Sequence, residues 1–300
     1  MEKVFYSNGK LLLTGEYVVL DGAKALAVPT KFGQSLKVKP IADRHLHWKS
    51  YDETNTLWYT DVFELDHFNF QSNLKESKTL QKILLAARNQ NPEFLKTGAE
   101  IETHLSFPRT WGLGSSSTLI NTIADWANVN PYRLLEDGFG GSGYDIAAGR
   151  HQRPILYIRN GTTPTVKEVS LHWPFTENLF FVYLNVKKQS KDAIADYRSL
   201  EVNPKAIQKI SEITEALIRC THSSEFETLL SSHEEQISSI LNVPTIKKEL
   251  FSDYPGTVKS LGGWGGDFIL VVGNRENQEY FRKKGYHTII SFDEMVKSTD

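Results

Sequence analysis

Four short stretches of this 300-residue chain combine residue types that could do chemistry. The run from Pro108 to Thr118, PRTWGLGSSST, places Gly112, Leu113 and Gly114 before three serines, Ser115, Ser116 and Ser117. Glycines admit positive φ and a close backbone approach. The serines offer hydroxyls and N–H groups where an apolar-periodic helix is expected to begin. A helix N-terminus gathers N–H donors and about half a unit of positive charge, which suits a phosphate. The Gly-Lys-Ser/Thr ending of a Walker A loop is absent. An ordinary serine-capped helix after a glycine turn has the same wording.

The second stretch is GFGGSGYDIAAG, residues 138–149. Gly138, Gly140 and Gly143 match G-x-G-x-x-G by spacing, but no strand precedes them, so a dinucleotide fingerprint is set aside. Asp145 follows these glycines and opens a short Ala-rich segment. It is placed either to meet a substrate hydroxyl or to cap a helix. The third stretch is SLGGWGGDF, residues 260–268, whose Gly262, Gly263, Gly265 and Gly266 precede an apolar strand. Glycines so dense imply a backbone packed against a ligand or another loop, or a flexible connection. The fourth is Lys10, which begins an apolar run and is either a snorkelling edge residue or a charge aimed at a site.

The elements that must hold these residues can be read from periodicity. Lys10–Leu13 and Tyr17–Leu20 are short strand-like apolar runs, and Asp21-Gly22 reads as a tight turn. Residues 34–70 read as a β-rich meander, with Ser35, Lys37 and Lys39 alternating against Leu36 and Val38. Residues 78–87 read as a helix. A second helix starts within Ser115–Thr118, serine-capped, with Leu119, Ile123 and Ala127 recurring every four residues. Pro154–Ile158 reads as a strand that closes this half. Beyond residue 165 the order is strand (179–186), two amphipathic helices, strand (268–272), helix and strand (286–290). That order suits an α+β sandwich of ferredoxin-like kind. The expected domains are 1–165 and 166–300.

Bulk composition sets limits on function. Apolar residues make up 40 % and charged residues 23 %, an ordinary globular balance. The 34 basic and 36 acidic residues are spread along the chain, so neither nucleic acid nor an anionic membrane is expected as partner. No apolar run approaches the roughly 20 residues of a membrane helix. The N-terminal stretch is broken by Gly, Thr and Glu and does not read as a signal peptide, so a cytoplasmic protein is expected. The single cysteine, Cys220, reads as a packed thiol. A monomer and a homodimer are both compatible with the sequence.

Taken in order, these stretches resemble the GHMP kinases. GKLLLTGEYVVLDG looks like that family's first motif and PRTWGLGSSST like its second, P-x-x-x-G-L-G-S-S. SLGGWGGDF is similar to the third. GGSGYDIAAG is similar to the segment holding the catalytic aspartate, with wording nearest to phosphomevalonate and mevalonate kinases. The resemblance spans the chain. It implies an α+β fold with a ribosomal-S5-like N-terminal domain and a ferredoxin-like C-terminal one. It implies ATP and Mg²⁺ as cofactors and a small-molecule, acidic acceptor.

Residue by residue, the resemblance makes Asp145 the catalytic aspartate and Lys10 the first-motif lysine. It makes Gly112, Leu113, Gly114, Ser115, Ser116, Ser117, Gly263 and Gly265 the ATP-binding set. Ser116 is the expected Mg²⁺ ligand, with Glu136 as the nearest acidic candidate. On the acceptor side it points to Glu16, Lys188 and Ser190, the last two within VKKQSKDAIADY (186–197), where Lys187 and Lys191 add positive charge. The same stretch would also serve as a solvated basic turn. Asn8 and Thr118 stand where the family usually has Pro and Ala. Asp145 lies only 29 positions after Ser116, where relatives usually carry a longer helical stretch. Two other functions remain compatible: a sugar or amino-acid kinase of the same fold, and a nucleotide-binding protein with weakened catalysis.

Overall fold

The computed structural model describes residues 1–186 and 190–297. Its contacts group the chain into two compact units. The first comprises Met1–Gly9, Phe32–Arg109 and Leu113–Arg150; the second comprises Lys10–Lys31, Thr110–Gly112 and the chain from His151 onward. A single cut near residue 165 was expected. The division is discontinuous because two long strands, β1 (Lys3–Thr14) and β2 (Ala25–Pro40), each contribute to both units.

In the first unit the C-terminal part of β2 pairs antiparallel with β5 (Ala99–Leu105), continuing the sheet through β3 (His45–Tyr51) and β4 (Leu57–Glu64). The β3–β5 pair is parallel. Between β4 and β5 lies α1 (Lys75–Gln90). After β5 come α2 (Ser115–Ala127), α3 (Pro131–Gly138) and α4 (Tyr144–Arg150). The alternation read from the sequence is the pleat of β2: Leu36 and Val38 are buried, while Ser35 and Lys37 are half-buried and Lys39 is exposed. One core joins Leu36, Trp48, Phe63 and Ile101 of the sheet to Ile83 and Leu84 of α1, Ile120 and Ile123 of α2, Leu134 of α3 and Ile146 of α4.

In the second unit Ala25–Ala27 of β2 pair with β6 (Ile155–Ile158), and β6 pairs with β7 (Thr165–Glu168). There follow β8 (Leu179–Tyr183), α5 (Ser190–Arg198), α6 (Pro204–Arg219), α7 (Ser223–Leu241) and α8 (Ile246–Leu250). The chain then forms β9 (Val258–Ser260), β10 (Phe268–Val272), α9 (Gln278–Lys283) and β11 (Ile289–Ser291). The strands order as β11-β8-β10-β9, with the β8–β10, β9–β10 and β8–β11 pairs antiparallel. Counted within this sheet the order is 4-1-3-2, the topology of a ferredoxin-like sandwich. Cys220 is buried, and burial raises its thiol pKa, as a packed thiol requires. No helix among the described residues is long and apolar enough to cross a membrane.

Two local expectations change. Tyr17–Leu20 is not a strand: Val18–Asp21 forms a 3-10 turn, because the backbone turns left-handed at Gly15 (φ 91°) and again at Gly22 (φ 89°). The 186–197 stretch is helical from Ser190 rather than a loop.

Candidate active site

In the first unit, α2 begins differently from the serine-capped helix the sequence suggested. Its N-cap is Gly114, left-handed at φ 89°, with no side-chain capping bond. The first helical hydrogen bond runs from Thr118 N to Gly114 O at 2.9 Å. The N–H groups of Ser115, Ser116 and Ser117 therefore have no carbonyl four residues back within the helix. Ser117 is buried and spends its hydroxyl on Gly114 O (2.9 Å). Thr118 is buried too, and its hydroxyl donates to Gln34 Oε1 on β2 (2.7 Å), fixing the helix to the sheet. Ser116 is the exposed serine of the three.

Asp145 stands in the first turn of α4, half-buried, its Oδ1 accepting the Ile146 N–H at 3.0 Å. Gly140, Gly141 and Gly143 before it all have positive φ, so a loop of L-residues would not deliver the chain to this helix at the same angle. Helix α2 holds α4 in place. Asn121, buried among the apolar residues of α2, donates to Ile146 O (3.1 Å) and to Ser7 Oγ (3.0 Å). Ser7 in turn donates to Gly149 O (3.2 Å). At the far end, Arg150 pairs with Asp125 of α2 at 2.7 Å. One helix thus carries the serine turn at its start and anchors the aspartate's helix along its length. Asn121 was missed by the sequence reading. The available signal was the single amide side chain of the α2 segment, directly after Ile120.

In the second unit, Lys10 Nζ donates to the Gly112 carbonyl at 2.9 Å, so the first-motif lysine meets the first glycine of the second motif. Gly112 has φ 67°, and the Asp267 carboxylate packs so closely that a β-carbon on Gly112 would lie 2.4 Å from its Cγ. The short segment is held on both sides: Tyr183 donates to Thr110 O (3.0 Å), and Trp111 sets its ring edge-on to Phe268 (5.5 Å). Four residues of the third glycine loop have positive φ: Gly262 (61°), Trp264 (39°), Gly265 (75°) and Asp267 (54°). Gly263 is half-buried and Gly265 exposed, while Trp264 anchors the loop in a core with Val18, Leu20, Tyr197, Ile210 and Ile237.

Glu16 is not where an acceptor-binding residue must be. Its side chain is fully buried and bonded to the equally buried Lys259 of β9. His233 of α7 lies beside it, 3.4 Å from Oε2, and accepts the Gly15 N–H at Nε2 (2.9 Å). Glu234 takes the Ser260 N–H (3.1 Å) and hydroxyl (2.9 Å). Burial pushes the Glu16 and Glu234 carboxyls up, opposed by Lys259. Burial, then the Lys259 charge, hold His233 well below its ordinary 6.5.

The His233 shift has a measurable sign. Below about pH 6.5 the unfolded chain takes up a proton that the folded imidazole refuses, so stability is lost as pH falls, by up to ~1.4 kcal/mol per pH unit. The raised carboxyls act in the opposite sense: their contribution is present at low pH and lost as pH rises through their folded values. A His233→Gln variant keeps an acceptor for Gly15 and keeps both carboxyls. Its melting temperature is expected to fall less steeply than wild type between pH 6.5 and 5. An identical slope would assign the acid loss to other groups.

Three expected residues remain. Glu136 lies on the exposed face of α3. Lys188 lies outside the described residues, and Ser190 is described only as the first residue of α5.

No family model matches the sequence, and comparison with curated proteins finds no match. Solved structures do match. Mevalonate kinase from Methanococcus jannaschii superposes with a TM-score of 0.71 at 16 % identity, covering 100 % of this chain and 99 % of that one. Streptococcus pneumoniae phosphomevalonate kinase in complex with phosphomevalonate and AMPPNP gives 0.72 at 14 %, covering 97 % and 100 %. Lactococcus lactis galactokinase complexed with galactose gives 0.70 at 15 %, covering 99 % and 94 %. The chain has the GHMP kinase fold. In this GHMP kinase fold the first motif lies on β1 and the turn after it. The second leads into α2, the aspartate segment leads into α4, and the third joins β9 to β10. The three proteins match almost equally well, so the GHMP kinase fold alone does not choose an acceptor.

Proposed function

We propose that this protein is an ATP-dependent kinase that transfers the γ-phosphoryl group to a hydroxyl of a small acidic acceptor, phosphomevalonate or mevalonate. The observation that carries the reading is the start of α2, where the left-handed Gly114 leaves the N–H groups of Ser115, Ser116 and Ser117 facing outward along the helix axis. Such a turn binds phosphate through backbone donors and the helix dipole. Asp145 accepts the proton of the acceptor hydroxyl as that oxygen attacks the γ-phosphorus, the bond from that phosphorus to the β–γ bridging oxygen breaks, and ADP leaves. Phosphoryl transfer has a loose transition state, so holding the oxygen in line matters more than early proton removal. Lys10 supplies positive charge at the first glycine of the loop, and Gly263 and Gly265 belong to the nucleotide side.

Mg²⁺, when bound, would supply positive charge that offsets the charge on the transferring phosphate. The exposed Ser116 hydroxyl is the side-chain oxygen suited to hold it, with Glu136 as the acidic candidate. Among the described residues no cluster of three His, Cys, Asp or Glu side chains could hold a metal. That suits an ion which keeps several waters and is bound largely by substrate phosphates. The lean toward phosphomevalonate rests on the TGEY and GSGYD wording, and that toward an acidic acceptor on Lys187, Lys188 and Lys191. A cytoplasmic setting accords with this substrate class.

A kinetic screen with ATP, Mg²⁺ and each of mevalonate, phosphomevalonate, galactose and homoserine tests the proposal. Turnover is expected with one of the first two. Turnover with galactose or homoserine alone would replace the acceptor; ATP binding with no transfer to any of them would remove the kinase reading.

A further inference from the structure

Asp267 ends the third glycine loop with a carboxylate, a group that an anion-binding loop would be expected to avoid. Its backbone is pinned on both sides, the N–H on the Val186 carbonyl (2.7 Å) and the carbonyl on the Leu184 N–H (2.9 Å). Its side chain is buried against two glycines at positive φ, Gly112 of the second motif and Gly262 of the third. A β-carbon on Gly112 would lie 2.6 Å from Oδ2, and one on Gly262 would lie 3.3 Å from the same oxygen. Two loops thus leave room for this carboxylate by carrying no side chain. The same Gly112 accepts the Lys10 ammonium at its carbonyl (2.9 Å). Gly112 stands two residues before Gly114, the N-cap of α2. Two residues of chain span at most about 7 Å, so connectivity alone keeps the Asp267 carboxylate within about 11 Å of the turn that carries the serine N–H groups.

Burying a charge costs more than burying a neutral polar group. A neutral asparagine would fill the same cradle, and it tolerates the same left-handed backbone, here φ 54°. What the aspartate adds is charge, directed at an anion. We propose that Asp267 makes nucleotide binding depend on the divalent cation: its charge opposes the bare triphosphate and admits one whose charge a cation has offset. This inference rests on the kinase reading, because it needs phosphate at the start of α2. The magnitude is sufficient. At an effective dielectric constant of ~20, two unit charges ~11 Å apart interact strongly enough to change an equilibrium constant about tenfold. A carboxylate that only braced the loop would act through its shape, and its loss would not distinguish bare ATP from ATP with Mg²⁺.

The test measures ATP affinity of the full chain by calorimetric titration, in Mg²⁺ and in EDTA, for wild type, Asp267→Asn, Asp267→Ser and Asp253→Asn. Asp253 is an exposed carboxylate paired with Lys284 (3.0 Å), and its variant controls for the change in net charge. Wild type is expected to bind ATP about tenfold or more tightly in Mg²⁺ than in EDTA. In Asp267→Asn the affinity in EDTA is expected to rise about tenfold while that in Mg²⁺ changes far less, so the ratio of the two shrinks. Asp267→Ser, neutral and smaller, is expected to shrink the ratio in the same sense, and melting curves show that each variant titrated is folded. Asp253→Asn is expected to keep the wild-type ratio. An unchanged ratio in either folded Asp267 variant overturns the proposal, as does an equal shrinkage in Asp253→Asn. A wild type that binds ATP equally well with and without Mg²⁺ overturns the role of Asp267 alone. A wild type that binds no ATP in Mg²⁺ sinks the kinase reading, and this inference with it.

Discussion

Asp145→Asn is expected to cut turnover by about 10²–10⁴-fold, the usual cost of losing a general base, while leaving ATP binding near wild type. The substitution is close to isosteric, and the asparagine oxygen can still accept the Ile146 N–H that the aspartate Oδ1 takes at 3.0 Å. Helix α4 stays anchored to α2 through Asn121 and the Arg150–Asp125 pair, neither of which involves the changed side chain. The phosphate donors proposed on α2 are backbone groups and also remain. What disappears is a negative charge and a proton acceptor at one point. The loss should therefore fall on kcat, with the ATP KM unaffected. Steady-state kinetics and a direct nucleotide-binding measurement check both halves. Turnover at the wild-type rate would take Asp145 out of the mechanism and leave its role as a helix-start carboxylate.

The parts of this molecule that could be read from sequence are those governed by local rules. The glycines at 112 and 114 must be glycines because both sit at positive φ, and that requirement shows in the sequence as conspicuous small residues. The apolar stripe of α2 and the pleat alternation of β2 follow from periodicity alone. The order of the main strands and helices after residue 165 was legible, but β7, α5, α8 and β9 were not read. Strand β9 is three residues long, Val-Lys-Ser, with a lysine at its centre, and no pattern rule assigns such a segment to a buried edge of a sheet. Its burial is possible because Glu16, far away in sequence, supplies the counter-group. Glu16 was expected on the acceptor side through the family resemblance, and its partner on β9 could not be seen from the sequence. Asn121, His233 and Lys259 share this property. Each is a polar residue inside the fold whose purpose appears only when a distant segment arrives to bond it.

Gly112→Ala is expected to destabilise the protein by ~2–5 kcal/mol and to weaken ATP binding by about tenfold or more. Two costs add. The left-handed backbone at φ 67° costs an L-residue ~1–2 kcal/mol. The new methyl would sit 2.4 Å from Asp267 Cγ and 2.6 Å from one of its oxygens, an overpacking that typically costs ~1–3 kcal/mol. Asp267 cannot simply retreat. It is buried, its N–H is held by the Val186 carbonyl (2.7 Å) and its carbonyl by the Leu184 N–H (2.9 Å). The strain must then move residues 110–112, whose Gly112 carbonyl is the acceptor for Lys10. Two further variants separate the terms. Gly140→Ala meets nothing within 4 Å, so at φ 70° it should cost only the backbone share. Gly112→Ala combined with Asp267→Gly removes the clash and leaves the backbone cost, so it should recover the larger part of the stability lost. Calorimetric melting and nucleotide titration of the three variants decide the point. If Gly112→Ala melts no lower than Gly140→Ala, the carboxylate does not close on this loop as the structure has it.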